Sequence, residues 1–511
     1  MWNSRDQTSE VCLDVLNQRN FKKTSDLNFA QNRLQVIGKS RQQLQWSIKV
    51  LDKTILSKGT TAMEKYTTGY SPNASLALIA EWTRTKGIWK KLEAGVQIHQ
   101  KTVRHSPHDK LKDLLINMWA GGERIVDINN RLRTDEALQR LFGRTTCAEQ
   151  STISETVNAT TVTNIAEMQA VIKQVFQAYS QCDQHGYQKN WLVLDIDLTG
   201  WLAGRKAEGA EKGYFSGERN GRGRQVGRVY ASQYDEIVNE QLYSGKVQLE
   251  ASLLELVKMA ENVLNSNAGR RKRTILRVAG GGGTDKNIDQ LLLDCYWILI
   301  KVKNWQRTQK LVNTVQDWHS LPELPGHDVG WIESPHAYTK DTRQLAIRWL
   351  KEKGGFHYCV LVFNLSDLMI FQLAGLLMPK KLTQQDLFSA ILKAYKLRSG
   401  GVETSIKNSK QGLGLNKRNK KRFEAQHRLL LLAQLAYNSA VWARNQLAQH
   451  SATIASFGML RLIRDAFHIS GKVQFDEKGN VNLIILNQAH KLAKVFQETW
   501  QACFPRDDLC F

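Results

Sequence analysis

Between Ser71 and about Glu155 the apolar residues return at helical spacing, in ALIAEWTRTKGIWKKL, KLKDLLINMWAGG, EALQRLF and STISETV, and predict a helical front to the chain. The stretch DEALQRLFGRTTCAEQSTISETVN holds two short helical runs around a polar turn at Gly143, with Ser151 placed to cap the second. This is the outline of a helix-turn-helix, which either contacts DNA or simply packs. Residues up to about 70 are polar and mixed and show neither period.

After the helical run MQAVIKQVFQAYSQC the period changes. WLVLDIDLTG (Trp191 to Gly200), VGRVYAS and TILRVA read as strands, with a long helix, ASLLELVKMAENVLN, before the third. A helix over Asn287 to Leu293 and a strand in CYWILIKVK follow. DVGWIES, TRQLAIRWL and GFHYCVLVF are strand-like and separated by turn residues, so residues 304–366 read as a β-rich insertion. Helices return in LTQQDLFSAILKAYKLR, ETSIKNSKQ and RFEAQHRLLLLAQLAYNSAVWARNQLA, and KVQFDEKGNVNLIIL reads as a hairpin turning near Lys478 and Gly479. The pattern predicts an α/β core with a helical front and a β-rich insert.

Charge adds a partner to this picture. The chain of 511 residues carries 71 Lys and Arg against 48 Asp and Glu, a formal net charge of +23 that points to a polyanion. The longest apolar run, LMIFQLAGLLM, is far short of the roughly 20 residues of a membrane span. MWNSRDQTSE has no signal-peptide pattern, so a soluble, non-secreted protein is expected. Seven scattered cysteines without a C-x-x-C pair argue against both a disulfide framework and a structural zinc site.

Two carboxylates stand on one strand. Asp195 and Asp197 alternate with Leu194, Ile196 and Leu198, so both project from the same face. A strand-borne Asp, an acid at the end of a neighbouring strand and a Glu on a late helix are the oxygen ligands that a pair of Mg²⁺ ions needs in phosphodiester cleavage. The third strand, TILRVA, ends in AGGGGTDKN. These glycines lack the GK[ST] of a phosphate-binding loop and the strand-helix context of a dinucleotide fold. The pair His105 and His108 has no carboxylate or cysteine partner in sequence and reads as a surface pair.

YKLRSGGVETSIKNSK, with Tyr395, Arg398, Glu403 and Lys410, resembles the Tyr-x2-Arg-x3-Glu-x6-Lys signature of DDE transposases of bacterial insertion sequences. The gap between Arg398 and Glu403 is four residues where the signature has three. The resemblance runs from about residue 70 to about 500 and lies in the joint order of several motifs: AGGERIVDINNRLRTDEALQRLFG with QSTIS, LDIDLTG, the signature, FEAQHRLLLLAQLAYNSAVWARNQL and FGMLRLIRDAF. It implies an RNase H-like catalytic core in two parts, residues 185–303 and 367–450, split by the insertion at 304–366. A helical DNA-binding and dimerisation region at 1–160 and C-terminal helices with a hairpin at 451–511 complete the expected organisation.

The resemblance also assigns roles. Asp197, preferred over Asp195 because it precedes Leu-Thr, and Glu403 would be the first and third acids on Mg²⁺, with Mn²⁺ a possible substitute. Relatives carry Arg-Leu-Asp-Gly-Gly-Phe-Gly-Thr-Asp where this chain has RVAGGGGTD, so Ala279 stands at the second catalytic Asp and Gly282 at the aromatic. A methyl group cannot coordinate a cation. The expectation is therefore a DNA binder with little or no cleavage, with Asp195, Asp285 and Asp289 as the only nearby substitutes. Tyr395, Arg398, Lys407 and Lys410 would contact phosphates near the cleaved end. The basic runs RRKR (270–273), ERNGRGRQVGR (218–228, with Arg222 and Arg224) and NKRNKKR (416–422, with Lys417, Arg418, Lys420 and Lys421) would hold the DNA backbone.

The implied activity is binding of terminal inverted repeats, metal-dependent strand cleavage and transfer to target DNA, by a homodimer or higher assembly on double-stranded DNA in the bacterial cytoplasm at the nucleoid. Two accounts of Ala279 stand side by side: a deliberate change in a transposase, or a domesticated, non-catalytic DNA-binding protein such as a repressor or architectural factor.

Overall fold

The computed structural model describes residues 67–102, 104–215, 221–352 and 354–504. Most of the expected N-terminal region before residue 67, with Cys12, lies outside them, as do Cys510 and part of the 218–228 basic run. Strands in chain order are β1 (Thr67–Ser71), β2 (Leu192–Leu202), β3 (Glu211–Lys212), β4 (Arg222–Ala231), β5 (Glu236–Ser244), β6 (Thr274–Val278), β7 (Trp297–Lys301), β8 (His319–Ser320), β9 (His327–Trp331), β10 (Arg343–Leu350), β11 (Phe356–Phe363), β12 (Gly471–Phe475) and β13 (Val481–Leu486).

Ten of these strands form one mixed sheet in the order β3-β4-β2-β6-β7-β11-β10-β9-β8, with β5 pairing on β4. Its centre, β2, β6 and β7, is parallel, and β6 ends beside Ile196 while β2 runs on to Leu202. The strands of segment 304–366 join the same sheet, because β11 pairs antiparallel with β7 and carries β10, β9 and β8 outward. Strand β5 (EIVNEQLYS) has no counterpart in the sequence reading. β1, β12 and β13 make a separate three-stranded sheet, with the hairpin turning at Gly479, where φ is +80°.

Alternation along the central strands feeds two apolar layers. Ile275, Leu299 and Leu361 face Phe388 and Ile391 of the helix Gln384–Arg398, whereas Leu276, Ile298 and Val360 face the larger core. That larger core surrounds the helix Phe423–Leu447, which is buried along nearly its whole length and apolar enough to be so. The run ALIAEWTRTKGIWKKL forms two helices, Ala77–Thr85 and Ile88–Gly95, parted by Gly87 at φ +64°. The two runs around Gly143 are the helices Glu136–Leu141 and Gln150–Asn158. Ser151 does not cap the second: Glu149 stands at that position, and the Ser151 hydroxyl donates back to its carboxylate at 3.0 Å.

One buried group in the long helix makes the fold acid-sensitive. His427 is 4% exposed with its Nε2 unpartnered, and burial lowers its pKa from 6.5 to about 4. A folded-state pKa below the unfolded one means stability is full above pH 6.5 and falls as the pH drops towards 4, by about 3 kcal/mol at most. Urea midpoints of the native chain should decline through this window, and His427→Met should flatten the decline.

Candidate active site

Strand β6 ends beside the middle of β2: its last residue, Val278, pairs with Ile196, so Asp197, still within β2, stands next to Ala279 just past the end of β6. After Ala279 the chain turns through a short 3₁₀ segment, Gly280–Gly282. The glycines are there for close approach. A Cβ at Gly283 would strike the carbonyl oxygen of Lys301 at the end of β7, and one at Gly282 would press on Val278 at 2.8 Å and on Leu249 and Leu253 at 3.2 Å. An aromatic side chain at 282 does not fit this packing. Gly283→Ala is expected to cost about 1–3 kcal/mol, read as a lowered denaturant midpoint.

Glu403 reaches the same place from the opposite direction. The helix Gln384–Arg398 runs into a π turn, Ser399–Glu403, and continues as Thr404–Gln411. A π turn takes up one residue more than an α turn, and here it brings Glu403, five residues on, back to Arg398. Gly401 allows the turn to close on the sheet, since a Cβ there would lie 2.7 Å from Asp195 Oδ2.

The two acids meet on one guanidinium. Arg398 donates to Asp197 Oδ2 at 3.1 Å and to Glu403 Oε1 at 2.5 Å, with its side chain only 7% exposed. Burial pushes the Asp197 carboxyl above its ordinary pKa, with Glu403 adding to the rise and Arg398 and the Leu198 N–H opposing it. Burial also works against charge on Arg398, but Tyr395, Asp197 and Glu403 outweigh it and hold the guanidinium protonated. Tyr395 lies beneath that guanidinium, 5.7 Å from ring centroid to Cζ, and burial raises its hydroxyl to about 12.

Asp195 has a different occupation. It is fully buried in a two-bonded pair with Arg277 (2.6 and 2.8 Å) and accepts from Ser232. Arg277 also donates to the Ala394 carbonyl, tying β2, β6 and the Arg398-bearing helix together. Asp285 is paired with Arg307, and Asp289 accepts from the Thr339 N–H at 2.8 Å. All three substitutes for a missing acid are therefore engaged elsewhere.

Two positioning residues were taken from sequence only as members of basic runs or not at all. Arg228, opposite Asp197 on β4, is 1% exposed, paired with Glu240 and bonded at 2.9 Å to both Ser405 and Ser409. It holds the Glu403 helix against the sheet, while Arg277 holds the preceding one. Their signal is strand parity: each lies on a strand, facing the same side as the acids.

The expected phosphate ligands divide. Lys407 is exposed. Lys410 instead donates to Thr199 Oγ1 (2.8 Å) and the Gly200 carbonyl (3.0 Å), and burial, with Arg228 adding to it, lowers its pKa. Arg224 and Arg418 are corrected: both are interior. Arg224 is spent on the carbonyls of Glu208, Lys420 and Lys421, and Arg418 on those of Leu413 and Gly122. Lys417 pairs with Glu123, Lys420 bonds Ser154, Lys421 is exposed and Arg222 half-buried. RRKR sits at the start of β6, the opposite strand end from Ala279, with Arg270, Arg271 and Arg273 bonded to carbonyls.

The site is thus two acids sharing an arginine, beside a methyl group, at the carboxyl end of a mixed sheet. The mixed sheet flanked by helices is consistent with an RNase H-like fold. The family model described as "Transposase DDE domain" matches residues 192–439, and "Transposase DDE domain group 1" matches residues 67–219. Together the two models, both of transposase DDE domains, cover residues 67–439 of this chain. Among solved structures it is similar to a piggyBac transposase synaptic complex with hairpin DNA, at 10% identity over 86% of this chain and 88% of that one, with a TM-score of 0.42. No curated protein matches it.

DDE domains work with divalent metal ions, and the residues present here do not fit a pair of them. Asp197 and Glu403 share the single charge of Arg398, position 279 offers no side-chain oxygen, and among the described residues no group of three or more His, Cys, Asp or Glu could hold a metal ion. Among the described residues, too, no helix is long and apolar enough to cross a membrane.

Proposed function

We propose that this chain is a DNA transposase that binds the terminal inverted repeats of its element and is unable to cut them, because Ala279 replaces the second acid. The observation that carries this reading is the convergence of Asp197 and Glu403 on Arg398 beside position 279. Two acids against one guanidinium leave a net charge of −1, too little for two divalent cations. With a third carboxylate at 279, the domain would be a nuclease and strand transferase on Mg²⁺ or Mn²⁺. Pairing of two DNA ends implies a homodimer or larger assembly, working at the cytoplasmic nucleoid.

A second reading, a domesticated binder acting as repressor or architectural factor, is favoured by the same arginine, which closes the acid pair into an internal salt bridge. Cleavage separates them. Labelled duplexes carrying the ends of the element are incubated with Mg²⁺ or Mn²⁺ and either this chain or its Ala279→Asp variant, with binding followed in parallel. Cutting by the variant alone supports the transposase; binding by both with no cutting supports the domesticated binder.

A further inference from the structure

A wide cleft lies away from the acids. It has a volume of about 690 Å³, within the 300–1,000 Å³ usual for ligand sites, whereas four other pockets have volumes of only about 10–20 Å³. Its walls come from residues 120–131, from the C-terminal end of the Glu403 helix at Gln411 and Gly412, and from residues 460–468.

Cations outnumber acids on its walls, three arginines to two carboxylates. Arg124, Arg131 and Arg464 line it with His468, and the two acids on its wall are already used: Glu123 is paired with Lys417, and Asp127 accepts the backbone N–H groups of Glu123 and Arg124 at 2.8 and 2.9 Å. Arg124 and Arg464 are exposed, and among the described residues neither guanidinium has a hydrogen bond or ion pair. Arg131 makes one long bond, at 3.4 Å, to the Gly121 carbonyl.

Its backbone is also unusual. Among the described residues there are three π turns, and such turns concentrate at functional sites. One, Ser399–Glu403, presents Glu403; the other two, Ile128–Leu132 and Leu462–Ala466, form facing walls of this cleft and carry Arg131 and Arg464. The helix that starts beside Glu403 ends in the cleft at Gln411, eight residues on, or about 12 Å at 1.5 Å per residue.

We propose that this cleft is a second DNA contact, seating the sugar-phosphate backbone a few nucleotides from the strand aimed at Glu403, with Arg124 and Arg464 each on a phosphate. The assignment rests on the transposase reading and gives it a place for the flanking DNA. Contacts of this kind position the duplex without reading its sequence, so any duplex serves as probe.

The test is fluorescence anisotropy of a 30-base-pair duplex of arbitrary sequence with the full chain, titrated between 50 and 200 mM salt. Each phosphate neutralised contributes about 0.9 to the slope of log affinity against log salt. The double variant Arg124→Ser/Arg464→Ser should bind at least tenfold more weakly at 100 mM salt, with a slope smaller by about 2. The charge-matched control Lys393→Ser/Lys494→Ser should stay within twofold of the native chain, and matching melting curves confirm folding. If the cleft pair behaves like the control pair, the cleft assignment is overturned while the transposase reading stands. If the native chain binds no duplex at 50 mM salt, both fall.

Discussion

Ala279→Asp is expected to turn a chain that binds DNA ends without cutting them into one that cuts, with a gain of at least about 10²–10³-fold in cleavage rate over the native chain with Mg²⁺ or Mn²⁺. The size follows from the several kcal/mol of transition-state stabilisation that one charged group in such a site supplies, at about 1.4 kcal/mol per tenfold. The geometry is favourable because position 279 already follows Val278, paired with Ile196, in extended conformation (φ −65°, ψ 158°), so the new carboxylate adds side-chain atoms without a backbone change. It also changes the charge from two acids against Arg398 to three, a net −2. Ala279→Asn, of equal size and neutral, is the control and should remain silent. Binding of the same duplex by all three chains separates a lost site from a lost fold; an Ala279→Asp chain that binds and leaves the DNA intact rules out position 279 as the missing ligand.

How much of this could be read from the sequence varies with the physical signal. The central strands announce themselves because burial on both faces demands near-continuous apolar residues, as in TILRV and WILIK. β5 is missed for the converse reason: EIVNEQLYS looks polar, yet Glu236 is buried by bonds from Ser180 and Trp442, Glu240 by Arg228, and Asn438 bonds the Ile237 backbone. Partners distant in sequence make those groups tolerable inside, and no local pattern records them. The choice of Asp197 over Asp195 rests on a resemblance alone, since each acid carries a buried arginine, Arg398 on Asp197 and Arg277 on Asp195. Charge runs were the weakest guide. Arg224, Arg228, Arg277 and Arg418 look like surface cations by composition, yet all four are interior, holding carbonyls or carboxylates that fix where the helices meet the sheet.

Replacing Arg277 by methionine is expected to lower stability by about 3–5 kcal/mol. The reason is what it leaves behind. Asp195 is fully buried, and the guanidinium supplies two of its hydrogen bonds and its counter-charge, so removing one partner strands a carboxylate where water cannot reach it. Ser232, at 2.5 Å, is the remaining donor on that carboxylate and is neutral. Arg277→Met also frees the Ala394 carbonyl one helical turn before Arg398, so Arg398 loses its registration on Asp197 as well. The double variant Asp195→Asn/Arg277→Met should recover part of the loss, because an amide buried beside Ser232 carries no uncompensated charge. Urea melts of the native, single and double variants measure this directly. Recovery would make the pair a structural brace for the acid beside it, whereas a double variant as unstable as the sum of its singles would mean that the two side chains act separately.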